Sequence, residues 1–277
     1  MSPSHIVALG AIAGLTIFIG LPVGRLRAGL ESTRTVLNAV AIGVLVFLLW
    51  DILAHGWEPV DAALSAHDTA AAIGYGVVLV GGLGLGLVGL VWFDQWVARR
   101  TARLPAAPAT GDAALTPAGW RGLWAQPAGR LAVLIAVGIG LHNFAEGLAI
   151  GSSAASGEVS LAWLLVIGFA THNATEGFGI VAPMAAARIR PSWVQLAGLG
   201  LIGGGPTIVG TLAGSATSSP VLGAAFLSVA AGSILYVIIE LLAVSRRFAL
   251  KYHTSWGLVA GLALGFATDA ILTAGGA

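Results

Sequence analysis

Long apolar segments alternate with short polar connections along almost the whole chain. Each apolar segment holds about twenty residues, the length that an α-helix needs to cross the hydrocarbon core of a bilayer. The segments are continuous runs, whereas strands of a membrane β-barrel show about ten residues of alternating polarity. The pattern predicts an all-α, polytopic transmembrane bundle of eight helices, over residues 5–23, 35–57, 70–93, 130–152, 159–184, 192–214, 220–244 and 255–275.

The composition excludes an ordinary soluble domain. Of 277 residues, 57% are hydrophobic and 9% are charged, which leaves too few polar side chains for a water-facing exterior. The 40 glycines suit helices in lipid, where small residues allow backbones to approach closely. Because the sequence has no cysteine, it offers neither a disulfide framework nor a thiolate metal site.

The positive charges favour one orientation in the membrane. Lys and Arg in short connections stay on the cytoplasmic side. The connections after the first, third, fifth and seventh segments hold all 13 of these residues, so both termini are predicted outside the inner cell membrane. Residues 94–130 form the one long connection, rich in Pro, Ala and Thr. We expect a flexible cytoplasmic loop there, within a single domain spanning 1–277.

One nine-residue string occurs twice, thirty residues apart: HNFAEGLAI from His142 to Ile150 and HNATEGFGI from His172 to Ile180. Both copies lie within apolar segments, where a charged side chain costs about 2.5–3.5 kcal/mol at a helix centre. His and Glu are four residues apart in each copy, so they project from one face of a helix. A lone buried His is commonly a hydrogen-bonded structural residue, but two matching copies on neighbouring segments favour a shared site.

The repeat predicts a metal site made by His142, Glu146, His172 and Glu176. Two antiparallel neighbouring helices can bring these side chains together near the middle of the membrane. A divalent cation would balance the two carboxylates and satisfy their lone pairs in one step. Imidazole nitrogen with carboxylate oxygen suits zinc, and also Fe(II), Mn(II), Cd(II), Co(II) and Ni(II).

The second apolar segment carries further polar residues near its outer end. Asp51, His55 and Glu58 share roughly one helical face. One interpretation makes them a ladder of metal ligands leading from the outer mouth to the site. The other places His55 and Glu58 at the water interface, beside Trp50 and Trp57 of an aromatic belt. We assign Glu58 to the interface and Asp51 to the metal pathway.

These residues resemble those of the ZIP (Zrt/Irt-like protein) family of divalent metal transporters, particularly its bacterial branch, which has His-Asn-x-Pro-Glu-Gly on both central spans. The string GLGLIGGGPTIVG resembles the sixth span of that family, and AAGSILYVIIELL resembles the seventh. With the eight segments and the long connection after the third, the resemblance covers most of the chain.

The resemblance implies a transporter, not an enzyme, that moves zinc or another divalent metal from outside into the cytoplasm by alternating access. The transport site then lies between spans 4 and 5, and no cofactor is implied beyond the transported metal. Asn143 and Asn173 match positions that contribute to a second metal site, and Glu240 matches an acidic exit position on span 7. The expected partners are divalent metal ions, the lipid bilayer and a second copy in a homodimer, with no nucleic acid.

The sequence departs from the family pattern at three places. Ala145 and Thr175 replace the Pro of the two motifs, which removes the kink expected there. Gly205 precedes Pro206 where the family often has Glu, so we expect a single metal at the site. The 94–130 loop also lacks the His-rich stretch that is frequent in the family.

Two other functions use the same residues. A membrane-embedded metalloenzyme would need an open coordination position and a general base, but no H-E-x-x-H element accompanies the motifs. A metal channel needs no coupled cycle, and saturation of the flux with metal concentration separates a carrier from a pore. The sequence has no GxxxxGK[ST] loop that would indicate an ATPase.

Overall fold

The computed structural model describes residues 1–26, 30–101, 119–216, 220–247 and 249–275. Within these residues the chain forms helices and no strands, which confirms the all-α prediction. A 3-10 turn over Leu21–Arg25 follows α2. The helices are α1 (Pro3–Leu15), α2 (Ile17–Gly20), α3 (Glu31–Ser65), α4 (Thr69–Thr101), α5 (Gly119–Ala125), α6 (Pro127–Ala155), α7 (Val159–Ala186), α8 (Trp193–Ala216), α9 (Pro220–Arg247) and α10 (Lys251–Ala274).

Seven helical segments among the described residues are long and apolar enough to cross a membrane. They correspond to seven of the eight predicted spans. Helix α7, with 28 residues, occupies the place of the fifth predicted span but is not one of these seven. Its polar motif residues, His172, Asn173 and Glu176, lower its hydropathy. The multi-pass helical bundle is therefore confirmed, while the count of eight spans and the outside termini stay predictions.

The predicted connection over 94–130 is narrower in the structure. Helix α4 continues to Thr101, and the short helix α5 precedes α6, which begins at Pro127. Residues 102–118 lie outside the described residues. Several helices are longer than the spans predicted from hydropathy, as α3 is, which extends to Ser65. Hydropathy locates the apolar part of a helix but not the polar turns at its ends.

The helices divide into two groups by their packing. Helix α6 lies along α8, and α1, α2 and α7 pack with them. We call this group the motif unit. Helix α3 lies along α10, α4 lies along α9, and α3 also contacts α9 and α4. We call this second group the frame unit. The two units meet chiefly where α6 contacts α9 and where α7 contacts α3.

Glycines bring the helices into backbone contact inside each unit. In the motif unit, a methyl group at Gly147 would overlap the backbone of α8 at Thr207; in the frame unit, one at Gly43 would overlap α10 at Gly261. Between the units, the atoms nearest to a glycine belong to aliphatic side chains, such as Leu241 against Gly179. Backbone contacts at glycines thus hold each unit together, whereas between the units the nearest contacts of glycines are made by side chains.

The two ends of the bundle differ in charge. At one end, the basic end, Arg25 donates to the Pro191 carbonyl and Arg188 pairs with Glu31 at 3.1 Å. These contacts join the connections after α2 and α7 at one end, as the charge pattern predicted. The opposite end, the acidic end, exposes Glu58, Asp61, Asp68 and Glu158.

A dense apolar layer fills the bundle between the motif residues and the basic end. Ile135 and Ile139 precede the first motif on α6, while Ile180 ends the second motif on α7 and Met184 follows it. Together with Leu241 of α9 they are completely buried in the largest core cluster. The motif residues therefore have close-packed hydrocarbon on their basic side.

Candidate metal centre

Helices α6 and α7 form an antiparallel hairpin that positions both motifs. Their connection turns at Gly157, whose φ of 84° suits glycine because it has no Cβ. In this register Glu146 lies opposite His172, and His142 lies opposite Glu176. The i, i+4 spacing on each helix and the antiparallel pairing together gather the four side chains.

The four side chains are buried inside the bundle. His142, Glu146, His172 and Glu176 are 2%, 6%, 6% and 0% exposed. Glu146 Oε1 lies 3.0 Å from His142 Nε2 and 2.5 Å from His172 Nε2. One ligand atom from each of these three residues lies within 4.8 Å of the other two. Glu176 Oε1 is 3.8 Å from His142 Nε2, at the edge of the group.

Several atoms of this group that could bind a metal have no hydrogen-bond partner among the described residues. They are Nδ1 of His142, Oε2 of Glu146 and both carboxylate oxygens of Glu176. A buried polar atom without a partner costs free energy, and a buried charge costs more. A divalent cation offsets this cost, because it accepts lone pairs and balances two carboxylates. The donor set of two imidazoles and two carboxylates fits zinc and its neighbours.

The two motif asparagines hold helices together. Asn143 Nδ2 donates to the carbonyl of Gly203 on α8 at 3.0 Å, and Asn173 Nδ2 donates to the carbonyl of Ala13 on α1 at 3.2 Å. Both Oδ1 atoms are buried and have no hydrogen-bond partner in the described part of the chain. The amide nitrogens thus connect the hairpin to α8 and α1, and the lone pairs of the amide oxygens remain available to a metal ion. A role of Asn143 and Asn173 in metal binding stays a prediction.

The departures from the family motif leave both helices unbroken. Helices α6 and α7 continue unbroken through Ala145 and Thr175, the two positions where the family motif has proline. The Thr175 hydroxyl donates to the carbonyl of His172 at 2.7 Å, so this carbonyl already has a side-chain partner. The Cβ position of Gly205 has no atom within 4 Å, and this residue offers no side chain to a metal.

Asp51 lies outside the group of three but on the wall of a cavity that reaches it. The cavity, of about 380 Å³, is lined by Asp51, His55 and Asp269 and also by His142 and Glu146. Asp51 Oδ1 lies 3.4 Å from His55 Nδ1. A smaller cavity of about 50 Å³ connects Asp51 and Asp269 with His172.

Asp269 on α10 is a residue to which the sequence analysis assigned no role. The packing of α10 along α3 brings it to the same cavity as Asp51. The signal for it in the sequence is an ionisable residue in an apolar span. That signal alone does not tell which helix is its neighbour.

Glu240 on α9 is not part of the His/Glu group. It is half-buried towards the basic end, within electrostatic range of Asp94 and Arg247. Asp94 in turn lies 3.5 Å from Arg130 at the start of α6. The structure therefore separates Glu240 from the four motif residues, and its role as an exit ligand stays a prediction.

Comparison with known families agrees with this geometry. The chain matches the ZIP zinc transporter family over residues 123–271, which is more than half of its length. The matched region contains both motifs, the helices α6 to α9 and most of α10. A comparison with curated proteins found no match. Because the family match covers more than half of the chain and includes the His/Glu group between α6 and α7, this chain belongs to the ZIP family of zinc transporters.

Proposed function

We propose that this protein carries divalent metal ions, zinc foremost, from outside the cell into the cytoplasm through His142, Glu146, His172 and Glu176. The observation that carries the proposal is the buried His/Glu group: ligand atoms of His142, Glu146 and His172 lie within 4.8 Å of one another beside two cavities, and Glu176 lies 3.8 Å from His142. Its family consists of transporters. With four donors from side chains, a single tetrahedral zinc ion is the best fit.

The metal enters from the acidic end. The 380 Å³ cavity leads from Asp51, His55 and Asp269 to His142 and Glu146. The apolar layer at Ile139 and its neighbours closes the opposite side of the site. Because Lys and Arg favour the cytoplasmic side, the basic end faces the cytoplasm and the cavity faces outside. Carboxylates at the mouth raise the local concentration of cations and speed their entry.

Movement of one unit against the other exposes the site to the other side. Backbone contacts at glycines hold each unit together, whereas side chains such as Leu241 form the surface between units. The ligands belong to the motif unit, and Asp51, Asp269 and Glu240 belong to the frame unit. A shift of the motif unit thus takes the metal away from the entry carboxylates and towards Glu240 as an exit ligand.

Uptake of radioactive zinc into proteoliposomes tests this function. We would compare the unchanged protein with His142→Ala and Glu176→Ala at matched incorporation. His253→Ala is the matched control, because His253 is exposed on α10, outside the site. We expect saturable uptake by the unchanged protein and the control, and none by the two site variants. Equal uptake by all four proteins contradicts the proposed site, and uptake that never saturates indicates a pore.

A further inference from the structure

Helices α4 and α9 run side by side in the same direction and end level with each other. Gly82 of α4 lies against Ser228 of α9, and Gly86 lies against Val229. Since parallel α-helices rise equally per residue, this register places the last turn of α4 beside the last turn of α9. Helix α10 begins four residues after α9 ends. The cations at these three helix ends, which we call the basic rim, are Arg99, Arg100, Arg246, Arg247 and Lys251.

The basic rim carries an excess of positive charge, although Glu240 lies within electrostatic range of one of its members, Arg247. Elsewhere at the basic end, carboxylates pair with cations, as Glu31 does with Arg188 and Asp94 with Arg130. The five rim side chains are exposed, and none of them forms an ion pair with a described carboxylate. Arg100 lies over the Trp96 ring at 4.2 Å. Five like charges on neighbouring helix ends repel one another, and a bound anion offsets that repulsion.

Exposed aromatic side chains fix the depth of the basic rim. Trp92 and Trp96 stack on α4 with ring centroids 6.4 Å apart, and Tyr252 meets Trp256 edge-on on α10 at 6.4 Å. All four are exposed on the surface of the bundle. Tyr and Trp of membrane proteins collect at the level of the lipid headgroups. The rim cations, within about two turns of these rings, therefore lie at the level of the lipid phosphates.

We propose that the basic rim binds the headgroup of an anionic phospholipid. Charge complementarity and depth select this partner: clustered Lys and Arg beside a membrane helix attract anionic lipids. All five cations belong to the frame unit, so the lipid holds this unit at the cytoplasmic face of the membrane. The proposal needs the protein to be in a membrane but does not depend on which ion it transports.

Native mass spectrometry of the detergent-purified full chain tests the lipid site. The probes are phosphatidylglycerol and, as a neutral lipid, phosphatidylcholine. The variant Arg246→Gln/Arg247→Gln removes two rim charges, and Arg188→Gln/Arg190→Gln removes two charges from the same end of the motif unit. We expect the rim variant to bind phosphatidylglycerol roughly 30-fold more weakly, and the control variant to bind it as the unchanged protein does. The variant Arg246→Lys/Arg247→Lys keeps both positive charges, so it should bind phosphatidylglycerol as the unchanged protein does.

Three results overturn the proposal. Equal losses in the two double variants indicate general electrostatic attraction without a site at the rim. Equal binding of phosphatidylcholine and phosphatidylglycerol indicates that headgroup charge plays no part. Displacement of the lipid by inorganic phosphate indicates a site for the free anion. Because no metal is present in the experiment, its failure is distinct from failure of the transport proposal, and size-exclusion profiles of each variant establish that it is folded.

Discussion

The motif unit and the frame unit are both built from long apolar helices, but they differ in where they place ionisable side chains. The motif unit buries His142, Glu146, His172 and Glu176 in its interior, where the ordinary cost of burying charge is high. The frame unit keeps Asp51, Asp269 and Glu240 half-exposed, and its buried polar groups are neutral, as with Asn38 donating to Ser245 Oγ at 2.7 Å. Among the described residues, buried His and Glu side chains thus occur only in the motif unit, where a bound cation can balance them.

The largest expected effect comes from Glu146, whose Oε1 atom contacts both imidazoles. We expect Glu146→Gln to weaken zinc binding at least about 100-fold, since even loss of an outer partner of a ligand costs 10–100-fold. The amide keeps the shape of the side chain but removes the negative charge between the two histidines. Isothermal titration with zinc in detergent measures the affinity.

Glu240→Gln provides the comparison from the frame unit. Glu240 stands apart from the His/Glu group, so we expect this variant to keep the zinc affinity of the unchanged protein. Equal weakening in both variants would mean that the two units share one site, and the division between them would have to be withdrawn.

The next largest effect concerns helix packing, and we expect a substitution that disturbs it to be about equally destabilising in the two units. Gly147→Ala places a methyl group 2.8 Å from Thr211 N of α8, and Gly43→Ala places one 2.9 Å from Gly261 Cα of α10. We expect each to lower the free energy of unfolding by about 1–3 kcal/mol through overpacking. Gly84→Ala on α4 is the control, because its Cβ position has no atom within 4 Å. Thermal unfolding in detergent measures the three variants.

Zinc affinity separates the two glycine variants further. Gly147 follows Glu146 directly, so displacement of α6 against α8 also disturbs the ligands. Gly43 lies between two frame helices. We therefore expect weaker zinc binding in Gly147→Ala alone. A matching loss in Gly43→Ala would show that the frame unit sets the ligand geometry as well.

A smaller effect is expected at the entry carboxylates. Asp51 and Asp269 line the cavity but stand outside the His/Glu group. Replacing both with Asn should raise the KM for zinc uptake about tenfold at low ionic strength and leave kcat unchanged, because the local attraction of cations is lost. Glu58→Gln is the control, an exposed carboxylate at the same end. A fall in kcat with constant KM would instead assign the pair to a later step.

The site was more predictable from the sequence than its surroundings were. A four-residue spacing on two adjoining antiparallel helices leaves little freedom, so the repeat alone indicated that these His and Glu side chains lie close together, while their binding of a metal stays a prediction. Asp269 was missed because hydropathy gives the depth of a residue but not the neighbours of its helix. The packing of α3 along α10, which brings Asp51 and Asp269 to one cavity, depends on contacts such as Gly43 with Gly261.

The division into two units was equally hidden from the sequence. Glycines occur in all the long helices, and their positions look alike whether they meet a backbone or open space. Gly82 lies against Ser228, while Gly84, two residues on, has nothing within 4 Å. The two glycines differ only in whether a neighbouring helix packs against them, which the sequence does not show. The same polar residues that revealed the site also lowered the hydropathy of α7, so the feature that identifies function weakens the evidence for a span.

The smallest expected effect lies at the ion pair that joins the units, between Glu31 of α3 and Arg188 in the connection after α7. Both side chains are more than half exposed, so Glu31→Gln should change the free energy of unfolding by less than about 1 kcal/mol. If the units move, this pair must break in every cycle. Its loss should then raise the uptake rate by at most about fivefold, and high salt should remove the difference.

Glu158→Gln at the acidic end should leave the rate unchanged, because no described cation pairs with Glu158. Slower uptake with unaltered stability would mean that the pair holds the two units in a productive arrangement, and relative movement of the units at this end would have to be abandoned.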